Sequence, residues 1–401
     1  MNGIELLAPA GDLGCVETAL YFGADAVYFG GPGFQLRATK VGFSMEDVGK
    51  ALRLVHEKGK KAYVTVNAFA RTDELEAIGE YAKALHALGV DAVIVADLGT
   101  LAAVKKAAPS LAVHISTQAN CTNALAAQTY YDLGASRVVL ARELTLGEIA
   151  LLREKTPREL ELECFVHGAM CMSYSGRCMI SAFLNGRSAN RGGCTQPCRW
   201  EYALMEKTRP GEYFPVFEDA SGTAILSSHD LCCIEFLDQL AEAGVCSFKI
   251  EGRMKTNYYV AAVVDAYRRA MDGTLDVPSC RALLDAVTHR PYSSGFYFGQ
   301  EKLSHFNDGA YHTDAVFVAE VLSWQDGIAA VRQRNRFAVG ETLSILSPAS
   351  CGLSFPVGRI ENEEGAQQSA APHPMQILRI PCPYPVKKGD LLRRFEGEKG
   401  N

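Results

Sequence analysis

The chain has 401 residues, 48% of them hydrophobic and 21% charged, which allows a large core and leaves room for one big domain and a smaller one. The opening MNGIELLAPAG has no basic start followed by an apolar run, and no stretch approaches the ~18 apolar residues that span a bilayer, so a cytoplasmic protein with no membrane partner is expected. Thirteen cysteines in that setting favour metal or redox chemistry over a disulfide framework, and a net charge of -6 requires any nucleic acid to be met by a local basic patch.

Four segments read alike along the chain: Phe22-Gly-Ala-Asp-Ala-Val-Tyr-Phe29, Leu88-Gly-Val-Asp-Ala-Val-Ile-Val95, Leu133-Gly-Ala-Ser-Arg-Val-Val-Leu140 and Ala243-Gly-Val-Cys-Ser-Phe-Lys-Ile250. Glycine just past a helical stretch is a C-terminal cap, and the β-branched run behind it suits a strand buried on both faces of a parallel sheet. Further strands are expected at Ile4 to Leu7, Lys61 to Val66, Ala112 to Ser116 and Glu161 to Val166, which makes eight. Helices are expected at Ser44 to Lys58, Thr72 to Leu88 and Thr145 to Lys155, the first two opened by a Ser or Thr cap. Eight βα units over residues 1–275 predict a (β/α)8 TIM-like barrel; a doubly wound open sheet competes, because periodicity does not show closure.

The seventh strand ends near His167 and the next helix is expected only around Cys232, so residues 168–231 form an insertion where barrel active sites are built. Cys171, Cys178, Cys194, Cys198 and Cys232 fall within or at the edge of it, spaced C-x6-C-x15-C-x3-C with the fifth after 33 more residues. Thiolates that converge in threes or fours hold zinc or iron–sulfur clusters, and this spacing matches neither zinc ribbons nor common ferredoxin runs. Buried free thiols are the competing reading, which suits Cys15, Cys121, Cys164, Cys246 and Cys280, each alone in an apolar element. Of the adjacent pair, Cys232 is expected to face the site from a helix start and Cys233 the core.

Polar groups expected at the barrel mouth are Asn67, Asp97, the run His114 to Asn120, Arg142, Glu143, His229, Asp230, Lys249, Glu251 and Arg253. His114, His229, Lys249, Glu251 and Arg253 are the candidate catalytic residues. Lys249 and Arg253 suit a carboxylate or an RNA phosphate; a salt bridge of either with Glu251 that only shapes the loop is the rival reading. H-E-x-x-H and G-x-S-x-G are both absent, so a peptidase would need a triad assembled from separate loops around His114, His167 or His229. Gly30-Gly31-Pro32-Gly33 reads as a plain turn.

From Gly168 to Trp200 there are four arginines, Arg177, Arg187, Arg191 and Arg199, and no acidic residue. With Tyr174, Phe183 and Trp200 among them they suit a stacked base with neutralised phosphates, or else they balance a charged cluster and pack. Residues 276–314 are expected as a linker and 315–401 as a small β-barrel, with Arg332, Arg334, Arg336, Lys387, Lys388, Arg393 and Arg394 as basic clusters for RNA.

Cys171-Met-Ser-Tyr-Ser-Gly-Arg-Cys178-Met-Ile-Ser, Arg191-Gly-Gly-Cys194-Thr-Gln-Pro-Cys198-Arg-Trp200, Ser228-His-Asp-Leu-Cys232 and Lys249-Ile-Glu-Gly-Arg-Met254 resemble the signature blocks of the U32 collagenase-like peptidase family. The resemblance spans nearly the whole chain. It implies either a peptidase or an oxygen-independent hydroxylase acting on a tRNA wobble uridine with prephenate as hydroxyl donor, on a ribosomal RNA cytidine, or on a quinone precursor. A single barrel with one small β domain is most similar to the tRNA branch, and the local basic patches make Arg177, Arg187, Arg191, Arg199, Arg332, Arg334 and Arg336 the candidate RNA-binding residues. The resemblance further implies a 4Fe-4S cluster on Cys171, Cys178, Cys194 and Cys232, with Cys198 the alternative to Cys194, and electron-donor or cluster-assembly proteins as partners.

Overall fold

The computed structural model describes residues 1, 3–36, 42–171, 176–197, 229–299 and 311–395, together with the short strand pairs 204–205 with 213–214 and 218–219 with 222–223. The chain divides into two compact units, one of residues 1–20, 24–255 and 289–311, the other of 21–23, 256–288 and 312–401.

The first unit is a closed parallel barrel. Its strands are β1 (Glu5–Pro9), β2 (Ala26–Gly30), β3 (Lys61–Val66), β4 (Ala92–Val95), β5 (Ala112–Ile115), β6 (Arg137–Val139) and β7 (Glu161–Ala169), each hydrogen-bonded to the next. The antiparallel β8 (Asp230–Cys232) adds to the end of β7, and β9 (Ser247–Ile250) pairs in parallel with both β7 and β1. That double pairing closes the ring and excludes the open sheet. Val27, Val64, Val93, Val113, Val138, Leu162 and Phe248 are all fully buried, which is why these strands read as continuous apolar runs rather than alternating ones.

Helices α1 (Leu13–Tyr21), α2 (Met45–His56), α3 (Leu75–Ala87), α4 (Leu98–Ala107), α5 (Ala124–Asp132) and α6 (Leu146–Glu154) alternate with the strands. Ser44 caps α2 and Thr145 caps α6, each in a reciprocal capping box with an acidic residue three positions on. Thr72 is not a cap: it opens a one-turn 3-10 helix, and α3 starts only at Leu75. Asp97, expected at the mouth, is the cap of α4 and accepts from Gly99 N at 2.9 Å. The insertion carries α7 (Ile180–Asn185), and the helix expected at Cys232 begins later, as α8 (Leu237–Glu242), because Cys232 is spent in a strand.

The second unit holds α9 (Asn257–Asp272) and α10 (Val277–Asp285), so part of the expected linker is helix, opened by Asp276 accepting from Ser279 N at 2.7 Å. The expected small β-barrel is an eight-stranded antiparallel sheet in half-barrel form, in the order 354–356, 342–346, 391–395, 315–325, 328–333, 377–381, 360–362 and 367–368. Val318, Val331, Phe337, Leu343, Phe355, Ile360, Leu378 and Ile380 form its core. Its central hairpin turns on Asp326 and Gly327, both at positive φ (50° and 83°), as a two-residue turn matched to strand twist requires.

Candidate active site

The insertion is anchored at both ends of its described part. Cys232 lies opposite His167 in the β7–β8 ladder, and Cys233 N donates to Val166 O at 2.9 Å. Cys232 ends the strand at 6% exposure, and its neighbour Cys233 is fully buried. Arg191 clamps the insertion to the loop after β3: its guanidinium meets Glu74 at 2.7 and 3.0 Å and Phe69 O at 2.9 Å. The hydrogen bond from Arg191, then that from the Arg71 N–H, holds the Glu74 carboxyl down at about 2. Gly176, at φ +75°, is pressed onto the turn after β5, where an added Cβ would stand 2.4 Å from Gln118 O. Only glycine fits there.

At this mouth lies a cavity of about 130 Å³ whose lining includes Tyr28, Thr65, Asn67, Ser116, Gln118, Arg142, Phe165, Cys171, Gln196, Lys249, Glu251 and Arg253. Its cationic side is built from three strands and fixed by hydrogen bonds. Arg253 Nη1 donates to Gln35 Oε1 (3.0 Å) and Thr65 Oγ1 (2.8 Å). Arg142 Nη1 donates to Ala169 O at 2.8 Å, with its guanidinium 3.8 Å over the Phe165 ring. Tyr28 Oη donates to Ile250 O at 2.9 Å, and the Lys249 ammonium sits 4.4 Å from the centre of its ring.

Deeper in the barrel is a layer of buried charge. Glu163, fully enclosed, accepts from Lys249 Nζ at 2.7 Å and from Arg137 Nη1 at 2.9 Å; Arg137 also reaches Glu5 at 2.6 Å and Glu161 at 2.7 Å. Desolvation pushes the Glu163 carboxyl up, but Lys249 and then Arg137 pull harder and leave it at about 2. Burial lowers Lys249, and Glu163 opposes that shift without cancelling it. Glu163 was not among the expected site residues. A lone acidic residue inside the apolar run Leu162 to Val166, two positions from another glutamate on the same inward face, was the available signal.

Several expectations are corrected. Lys249 pairs with Glu163 and not with Glu251; Glu251 accepts from Tyr28 Oη at 3.4 Å and lies 4.0 Å from Arg142. His114 is 4% exposed, packed edge-on to Tyr63 with ring centres 4.7 Å apart, and is not in the cavity lining. Burial first, then Arg137, holds its pKa well below the usual histidine value, so it is a neutral core imidazole. His229 gives its carbonyl to Met170 N at 3.2 Å and does not line the cavity either, nor does His167. Arg177 and Arg187 are exposed, while Arg191 is committed to Glu74.

Cys171, Cys178, Cys194 and Cys232 are unbridged; Cys171 lines the cavity, and Cys194 accepts from Ser181 Oγ at 3.9 Å. Among the described residues no three His, Cys, Asp or Glu side chains stand together as a metal site. The donor chemistry suits a cluster, and the described arrangement does not close one. Cys198, Arg199, Tyr174, Trp200 and the Phe183 side chain lie outside the described residues.

In the second unit Glu320 takes both Arg332 (3.5 Å) and Arg334 (3.0 Å), Arg394 pairs with Glu341 at 2.6 Å, and Arg393 is buried. Arg336, Lys387 and Lys388 are exposed and make no ion pair among the described residues.

A family model described as peptidase family U32 matches residues 11–307, and one described as the peptidase family U32 C-terminal domain matches 313–393. A Bacillus subtilis (strain 168) protein named tRNA hydroxylation protein P1 is 34% identical over 403 residues, covering 97% of this chain and 94% of its own. An Escherichia coli (strain K12) protein named tRNA hydroxylation protein P is 34% identical over 443 residues, covering 98% and 97%. A Porphyromonas gingivalis (strain ATCC BAA-308 / W83) protein named collagenase is 30% identical over 419 residues, covering 99% of each chain.

Proposed function

The chain belongs to the peptidase U32 family, and on that premise we propose that it is an RNA-modifying enzyme that hydroxylates a uridine at the tRNA wobble position. The observation that carries the reading is the cavity itself: Arg142, Lys249 and Arg253 face the same space as Cys171, the first cysteine of the insertion. Relatives named for tRNA hydroxylation over almost the full length of both chains support it. Among the described residues no histidine lines that cavity, so the described lining offers no His-based triad.

The net reaction replaces C5–H of the base by C5–OH, a two-electron oxidation, while the donor R–OH becomes R–H and takes up the two electrons. A carboxylate-bearing donor such as prephenate suits the cationic side, since the two guanidiniums present forks that match carboxylates. Arg253 is oriented by Gln35 and Thr65, and Arg142 by Ala169 O, so both are aligned before the donor arrives. Lys249, tied to Glu163, brings positive charge to the cavity floor without a mobile side chain. A 4Fe-4S cluster on Cys171, Cys178, Cys232 and either Cys194 or Cys198 belongs to this proposal on donor chemistry alone, and would supply one-electron redox capacity.

Mass spectrometry of wobble nucleosides from a deletion strain tests the activity. Loss of 5-hydroxyuridine derivatives, restored by the gene, is the expected result; unchanged nucleosides with peptide hydrolysis by the purified protein would establish the peptidase instead. Iron and sulfide analysis after anaerobic purification tests the cluster, and zinc or no metal overturns that part.

A further inference from the structure

Resting on the RNA-hydroxylase reading, we infer that Asn67 and Gln118, which line the same cavity as the arginines, select the nucleoside by accepting two hydrogen bonds from it: one from the base N3–H of uridine and one from its ribose 2′-hydroxyl. Asn67 follows the end of β3 and is 7% exposed; its Nδ2 donates to Ser116 Oγ at 3.5 Å, which turns Oδ1 away from that partner. Asn67 Oδ1 and Gln118 Oε1 are both buried and without a hydrogen-bond partner. An unsatisfied buried acceptor costs about 1–3 kcal/mol, so two in the lining of one cavity ask for a ligand that brings two donors.

The turn that carries Gln118 is rigid. Ser116 Oγ accepts from Gln118 N at 3.3 Å, Thr117 Oγ1 donates to Leu140 O at 3.0 Å, and the turn closes on Asn120 in the left-handed region at φ 56°. Gly176 of the insertion presses on Gln118 O from outside. Stacking is poorly placed to select a base here, because Phe165 and Tyr28 each already have a cation over one ring face, at 3.8 and 4.4 Å. Among the described lining residues, hydrogen bonds to the two amides are the contacts available for it. Uridine carries one ring N–H and one 2′-hydroxyl, which matches two acceptors; the amides accept these without proton transfer.

The test is binding of RNA stem-loops to the full-length protein, identical except that the target uridine is native, N3-methylated or 2′-deoxy. For the unsubstituted protein each modification is expected to weaken binding about tenfold, the size of one lost hydrogen bond in a buried site. Asn67→Leu and Gln118→Met each erase sensitivity to one of the two modifications, whereas Asn67→Asp, which keeps the acceptor, retains it. Unchanged melting temperatures show that the variants fold. Wild-type protein that hydroxylates the stem-loop yet binds all three RNAs alike overturns the inference and leaves the RNA-hydroxylase reading standing, as does sensitivity that survives in both variants. Wild-type protein that neither binds nor hydroxylates the native stem-loop overturns the reading itself.

Discussion

Lys249 Nζ stands 2.7 Å from Glu163 Oε1, at 3% and 0% residue exposure, so the cation that floors the cavity is held by a carboxylate that water does not reach. Removing one partner of a buried pair leaves the other charge uncompensated, and such changes cost about 3–5 kcal/mol. Glu163→Gln is therefore expected to lower stability by about that amount, read as a fall in the denaturation midpoint with an unchanged slope. Because the folded-state carboxyl sits at about 2, below its ordinary value of 4.5, its contribution is fully present above pH 4.5 and is lost as pH falls towards 2. Stability should therefore fall on the acid side, and Glu163→Gln should lack this acid-side slope.

Arg253 acts through geometry as much as charge. Its Nη1 bridges Gln35 and Thr65 at 3.0 and 2.8 Å, an arrangement that a lysine ammonium, which has no planar fork, does not reproduce. Arg253→Lys should keep the fold and its melting temperature within a few degrees. Steady-state assays with the carboxylate donor varied should show its KM raised about tenfold or more, and equal KM values for the two proteins would refute the assignment.

The barrel was legible because glycine-capped helices and doubly buried strands repeat; closure was not, since β9 pairing with both β1 and β7 is a long-range contact that no local pattern records. Lys249 and Arg253 were found because one lies at the end of the last repeat and the other just after it, where barrel loops carry chemistry. Glu163, Thr65 and Gln35 were missed because one lies within an apolar strand and the other two are ordinary polar residues until Arg253 binds them. His114 misled for the opposite reason: a histidine at a strand end looks catalytic, and only its contact with Tyr63 shows it to be interior. The partner of the basic cluster was not legible, since sequence shows Arg332 and Arg334 but not that Glu320, across the hairpin, pairs with both.

Gly176 has two independent requirements for glycine, its φ of +75° and the 2.4 Å approach to Gln118 O. Gly176→Ala must push the insertion away from the turn after β5 or strain both, at a cost of about 1–3 kcal/mol. Limited proteolysis is the readout: cleavage within the insertion should become faster while the rest of the chain resists. A digestion pattern identical to wild type would mean that the contact at Gln118 does not hold the insertion.

If the second unit holds RNA, its contribution should come from cations that are not already paired. Arg332 and Arg334 share Glu320, and Arg394 is engaged by Glu341, so each enters an RNA complex only by giving up an existing partner. Arg336, Lys387 and Lys388 are exposed and have no such competitor among the described residues. Each phosphate contact releases condensed counterion and steepens the salt dependence of binding by about 0.7 for a single strand and about 0.9 for a duplex. The triple variant Arg336→Ala, Lys387→Ala, Lys388→Ala should thus flatten the slope of log K against log salt by about 2 for a tRNA ligand. Arg332→Ala with Arg334→Ala removes as much positive charge as two of those three and should change the slope by less than 1, because it frees Glu320 while it removes cations that were largely neutralised. Slope changes in the ratio of the charges removed, three to two, would show that net charge, rather than unpaired cations, governs RNA binding by this unit.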